Sequence, residues 1–287
     1  MPPFLRFVWL LALLVCGAAP ASWATPIVRI RLRVDPRTRA FTCRYRFTLP
    51  ASDTASRLTL QLNHALRLRS VRSPQAHVQR VTTALYVGDT VHRVQVRYAP
   101  DVARPRHVDL AYSGTLAKGE FTDAVAVFSG HGNWLPFRPY AEYEPVAYEL
   151  VVQVPAAYAV RSTAPPRRRR RGAWVFGGTT SAIEPTALIA RRFYQGVSAT
   201  APPLALVKAG APLARADTAL LRQAEAIVAF YNRTIGRLAP VTRFTLLLPG
   251  TNHGAYGLLD DAAVITYPTF DVADRGDLLI LAHEISH

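Results

Sequence analysis

With 287 residues, half of them hydrophobic, the chain exceeds one ordinary core and is too apolar for a disordered polypeptide, so two domains are expected. A formal charge of +15 excludes an acidic, self-solvating chain and raises the question of an anionic partner. Nearly all of it is arginine, with Lys118 and Lys208 the only lysines; the arginines are expected on solvated faces, and nucleic acid is not an expected partner.

In chain order, a targeting segment comes first. Arg6 supplies a positive start, residues 8–15 form a short apolar run, and Ser22-Trp23-Ala24 fits a small-x-small cleavage site. The run is shorter than the roughly 20 apolar residues of a membrane span. Residues 1–24 are therefore expected to leave as a signal peptide, giving a periplasmic or secreted chain with no transmembrane segment. Val15 before Cys16 does not suit a lipid attachment site. Cys43 is then the remaining cysteine, in phase with apolar neighbours, and is expected to be a buried, inert thiol.

From residue 26 to about 195 the pattern has period two. Val28, Ile30, Leu32 and Val34 alternate with Arg29, Arg31 and Arg33, and Cys43 and Tyr45 alternate with Arg44 and Arg46. Such a strand has one dry face and one wet face, so the arginines are expected outside. Residues 58–62, 94–98, 108–112 and 147–154 repeat the pattern between Pro, Gly, Asp and Ser. This predicts an antiparallel β-sandwich or saddle over residues 25–203. The arginine run 167–171, between Pro165-Pro166 and Gly172, reads as a solvated loop, with a binding patch as the alternative.

After Pro202-Pro203 the texture becomes α/β. A short strand at 204–207 leads to a helix that Asp217 can cap, with Leu220, Leu221, Ala224, Ile227, Val228 and Tyr231 as its apolar stripe and Gly236 at its exit. A buried strand at 244–248, a Gly-rich turn at 254–257 and an edge strand at 264–267 follow. The last helix begins near Asp274 or Asp277. Residues 204–287 are thus expected to open a second, α/β domain, making the fold class α+β.

This helix ends His283-Glu284-Ile285-Ser286-His287. Residues four apart lie one turn along the same helix face, so both imidazoles reach one ion, and neutral imidazole is a good zinc ligand. Glu284 lies beside the position of a metal-bound water and suits a general base. Zn2+ is the expected cofactor, His283 and His287 its ligands, and Glu284 the catalytic residue. The bland alternative is a helix end with two ordinary histidines.

The segment Leu281-Ala282-His283-Glu284-Ile285-Ser286-His287 resembles the zinc helix of the aminopeptidase N and leukotriene hydrolase family, a gluzincin group. Asn133-Trp134-Leu135-Pro136 resembles the family's W-x-P segment, 148–155 the strand after it, and Ile183-Glu184-Pro185 with Ala190-Arg191-Arg192-Phe193 the end of its N-terminal domain. The resemblance implies a β domain followed by a thermolysin-like domain, a peptide substrate, and an edge strand that binds it. Aligned back from Ile265-Thr266-Tyr267, the substrate-binding motif falls on Gly257-Leu258-Leu259-Asp260-Asp261, where Asp260 stands for the Glu that holds a free α-amine. Asp260-Asp261 capping a turn is the alternative. The family's third zinc ligand and transition-state Tyr would lie beyond His287. The chain as given is therefore expected to be an inactive N-terminal fragment, with Leu278 and Leu281 packing on helices absent from it. A non-catalytic envelope protein whose basic β domain binds anionic surfaces is the competing reading, and epoxide hydrolysis a third.

Overall fold

The structure, a computed structural model, describes residues 25–100, 105–170, 172–236, 240–251, 254–265 and 270–287. The expected signal peptide, Cys16, Arg171, Thr266 and Tyr267 lie outside the described residues. The described chain is mostly β with two helices, in keeping with an α+β class. The first region is not purely antiparallel as expected, because residues 27–33 run parallel to residues 147–153 inside its largest sheet. Among the described residues no helix is long and apolar enough to cross a membrane.

Strands β1 (Ile27–Asp35) and β2 (Ala40–Thr48) pair antiparallel with Ile30 opposite Tyr45 and Leu32 opposite Cys43. Val28, Ile30, Leu32, Cys43 and Tyr45 are at most 2 % exposed. Arg29, Arg31, Arg33 and Arg44 are exposed on the other face. Arg46 is half-buried because its guanidinium donates to both oxygens of Asp109, at 2.6 and 2.9 Å. Burial pushes the Cys43 thiol up to about 12, the state of an unreactive core sulfur.

The chain continues through β3 (Arg57–Asn63), β4 (Arg67–Arg72), β5 (Ala76–Tyr86), β6 (Asp89–Tyr98), β7 (His107–Thr115), β8 (Val125–Phe128), β9 (Pro145–Gln153), β10 (Ala159–Arg161), β11 (Arg168–Arg170), β12 (Ala173–Ser181) and β13 (Ala187–Ala190). They build a seven-stranded sheet, β11-β12-β9-β1-β2-β7-β4, and two three-stranded sheets, β3-β6-β5 and β10-β13-β8. One apolar cluster joins all three, with Ile30, Tyr45 and Leu150 from the first, Leu60 and Val94 from the second, and Phe128 and Ile189 from the third. The arginine run expected as a loop is instead edge strand β11, because Arg168–Arg170 pairs with the start of β12 across a turn at Gly172, whose φ is 75°.

A five-stranded sheet follows, from β14 (Phe193–Val197), β15 (Leu204–Ala209), β16 (Phe244–Leu248), β17 (Ala255–Leu258) and β18 (Ala262–Ile265), in the order β14-β15-β16-β18-β17. It starts ahead of residue 203, since Phe193–Val197 pairs with β15. Helices α1 (Arg215–Thr234) and α2 (Arg275–Ser286) cover one face, where Leu206, Leu246 and Ala263 meet Ala224, Val228, Leu281 and Ile285. On the other face Val207, Leu247 and Val264 meet Leu188 of β13. Strands β8 and β13 are therefore covered on both sides, which is why Val125–Phe128 and Ala187–Ala190 are continuous apolar runs without alternation.

Asp217 caps α1 from its third position and is not the N-cap residue itself. Ala214 is the N-cap residue, and Asp217, three positions on, accepts its N–H at 2.6 Å while pairing with Lys208 at 2.7 Å. Leu281 is fully buried in this chain's own core, so the apolar side chains that α2 exposes are Leu279 and Ile280.

Candidate metal centre

Helix α2 starts where the Asp274 carboxylate accepts the N–H groups of Gly276 and Asp277 at 2.8 and 3.1 Å, satisfying donors that have no intrahelical partner. Leu281 and Ile285 anchor one side in the core. The opposite turn carries His283 and His287, both exposed, with Nε2 atoms 3.3 Å apart and rings nearly perpendicular. The Glu284 carboxylate is 4.0 Å from His287 Nε2, and its side chain is only 11 % exposed. Ligand atoms of His283, Glu284 and His287 all lie within 4.8 Å of one another.

The two nitrogens suit a zinc ion. Bonds of about 2.0–2.1 Å in a tetrahedron place two imidazole nitrogens roughly 3.3–3.4 Å apart, the separation seen here.

Three further contacts fix this turn. Tyr231 Oη on α1 donates to the Ala282 carbonyl at 2.9 Å. Ser286 Oγ donates to the His283 carbonyl at 2.6 Å. The Gly257 N–H on β17 donates to Glu284 Oε2 at 2.6 Å. Gly257 is also where strand and helix touch most closely: a Cβ there would sit 2.4 Å from the Glu284 carbonyl oxygen and 2.7 Å from His287 Cβ. Any side chain at this position pushes the metal helix off the strand.

The sequence-predicted substrate segment divides into two parts. Gly257 and Leu258 lie in β17, which is the true sheet edge, whereas β18, expected at the edge, is internal because it pairs with both β16 and β17. Gly257 is thus a strand residue and not part of a turn. Leu259, Asp260 and Asp261 form the turn between β17 and β18, with Asp261 at φ 59°. Asp260 is turned toward the first region, where Thr163 Oγ1 donates to its Oδ2. Its Oδ1 is buried without a hydrogen-bond partner among the described residues, and burial holds the carboxyl up at about 6, with Glu184 nearby adding to the effect.

Glu184 is buried and accepts from Thr180 Oγ1 at 2.8 Å and from the Leu259 N–H at 3.1 Å. Sequence reasoning gave no positioning role to Thr163, Glu184 or Tyr231. Tyr231 alone left a signal, since a phenol on an apolar helix stripe needs a partner for its hydroxyl.

In comparisons with known proteins, no protein-family model matches the chain and no curated protein matches it.

Proposed function

We propose that this chain carries the metal-binding part of a zinc-dependent peptidase of the aminopeptidase N type, with His283 and His287 as ligands and Glu284 as the base. The observation that supports it most is the 3.3 Å spacing of the two Nε2 atoms on a helix held by contacts from α1 and β17. Zinc bound there supplies Lewis acidity toward a scissile carbonyl and lowers the pKa of its water.

The chain's own residues have separable tasks in this reading. Glu284 accepts a proton at its carboxylate and returns it to the leaving amine. The Gly257 N–H fixes Oε2, so this carboxylate is aimed before substrate arrives. Among the described residues β17 pairs with β18 alone, and an extended peptide adding to its outer edge alongside Glu284 would take over the Gly257 N–H that Glu284 now holds. Asp260, committed to Thr163, favours the turn reading over capture of a free amine.

Cobalt(II) titration of the protein, followed by its visible absorption, tests the ligands. The expected result is a spectrum that zinc abolishes by displacement and that His283→Ala and His287→Ala both lack. A spectrum that survives both substitutions would end the proposal. Comparing cleavage of N-blocked and free peptides separates the specificities: cleavage of both, unchanged in Asp260→Ala, identifies a peptidase that does not read the amine.

A further inference from the structure

The outer face of the seven-stranded sheet carries a concentration of charge that the metal helix does not use. Arg29 lies directly opposite Arg46, and Arg31 directly opposite Arg44, across β1 and β2. Glu149 beside Arg29 and Asp109 beside Arg46 offset the first pair. Arg31 and Arg44 have Val151 and Ala111 as their outer neighbours, and like charges directly opposed in this way destabilise a sheet, so folding gains nothing from that second pair. Arg67, Arg69 and Arg72 on β4 are exposed as well, and Arg69 and Arg72 line the same face as the β1 and β2 arginines. Asp109 and Glu149 are acidic side chains on it, and Asp109 is already taken by Arg46. Among the described residues Arg29, Arg31, Arg33 and Arg44 make no ion pair.

The shape and composition of the face narrow the partner. A single depression runs from Val175 on β12 to Arg69 on β4. Six strands at about 4.8 Å spacing make it roughly 24 Å long, running across the strands. A trough seats a chain better than it seats a flat bilayer. The outward residues of β1, β2 and β7 include no Phe, Tyr or Trp, so the stacking platform that single-stranded nucleic acid uses is lacking. Thr42 and Gln153 stand among the arginines and offer hydrogen bonds to hydroxyl groups, while Ser113 Oγ accepts from Arg69 Nε at 3.1 Å and leaves the terminal nitrogens of Arg69 to a ligand. Arginine forks suit carboxylate, sulfate or phosphate groups bidentately.

We propose that this face is a binding site for an acidic polysaccharide, held in the trough by Arg31, Arg33, Arg44 and Arg69 through charge-assisted hydrogen bonds to its anionic substituents. The site is independent of the metal helix and stands or falls separately from the peptidase reading.

The test is binding of a heparin-derived oligosaccharide to the whole protein by fluorescence anisotropy. Arg31→Thr/Arg44→Thr is compared with Arg80→Thr/Arg222→Thr, which removes equal charge from exposed positions elsewhere. The expected result is a loss of roughly tenfold or more for the first pair and little change for the second. Arg31→Lys/Arg44→Lys, which keeps the charge and loses the forks, should fall between. Because the opposed arginines repel each other, the threonine pair should melt no lower than the parent, so loss of binding cannot be ascribed to unfolding. Equal losses from both pairs, or tighter binding of oligothymidylate or of phosphatidylglycerol vesicles through the same arginines, would overturn the assignment.

Discussion

The β1–β2 hairpin and the junction of β17 with α2 are built in opposite ways. In the hairpin, alternation along nine-residue strands decides every side chain, because one face is dry and the other wet. At β17 both faces are covered: Tyr256 and Leu258 pack toward the first region, and Gly257 faces the metal helix. Each residue there is decided by what lies across it, through contacts with Glu284, Glu184 and Thr163 that are 27, 75 and 97 residues away in the chain. Periodicity therefore builds a scaffold, whereas the candidate site depends on long-range contacts that no local pattern encodes.

The largest effect should come from emptying the hairpin's core. Ile30 is fully buried, and Ile30→Ala should cost roughly 2–5 kcal/mol in urea unfolding. If the two regions are separable, metal affinity of the folded fraction is unchanged; a parallel loss of cobalt binding would break the contrast.

Gly257→Ala sharpens it from the other side. The added methyl meets backbone and His287 Cβ, so it should destabilise by about 1–3 kcal/mol and weaken cobalt binding far more than that modest loss suggests. Unchanged metal affinity would show that the strand does not position the helix.

The seam between the two regions should respond to pH. Burial raises Asp260 from 3.8 to about 6 and Glu120 from 4.5 to about 7. A carboxyl whose pKa is raised on folding binds its proton more tightly in the native state. Its contribution is complete below the unfolded value and is lost as pH rises through the folded one. Stability should therefore fall between about pH 4 and pH 7, and Asp260→Asn should flatten the lower part of that slope by on the order of 1–2 kcal/mol. Thermal melts at half-unit steps would decide it, an unchanged slope removing Asp260 from the account.

The smallest effect is expected on the wet face of the hairpin. Arg29→Thr should change stability by less than about 0.5 kcal/mol, and Cys43 should react with a thiol reagent only on unfolding. Rapid labelling of Cys43 in the folded protein would contradict the register of β1 and β2.

Much of the scaffold was legible in the sequence because period-two alternation, helical stripes and the His-x-x-x-His interval are local. They located β1, β2, β3, β7, β9 and β16, the stripe of α1, and the turn that brings His283, Glu284 and His287 together. Local pattern went astray where pairing partners mattered. Arg168–Arg170 became a strand because β12 was available to it, and β18 moved inside the sheet because β17 took the edge. Asp217 reads as a cap from composition and caps from the third helical position, since the helix begins two residues before it, where Ala214 supplies the N-cap backbone and Lys208 neutralises the carboxylate.

The sequence by itself determined which residues alternate, which helix carries the histidines, and that Glu284 stands beside them, since each follows from the geometry of one continuous segment. Only the tertiary structure decided that Gly257 must lack a side chain, that Glu284 is aimed by a backbone N–H, and that Asp260 is buried against Thr163. Those outcomes depend on which surfaces meet after the chain has folded back on itself, and contacts between distant segments leave no period in the sequence that brings them together.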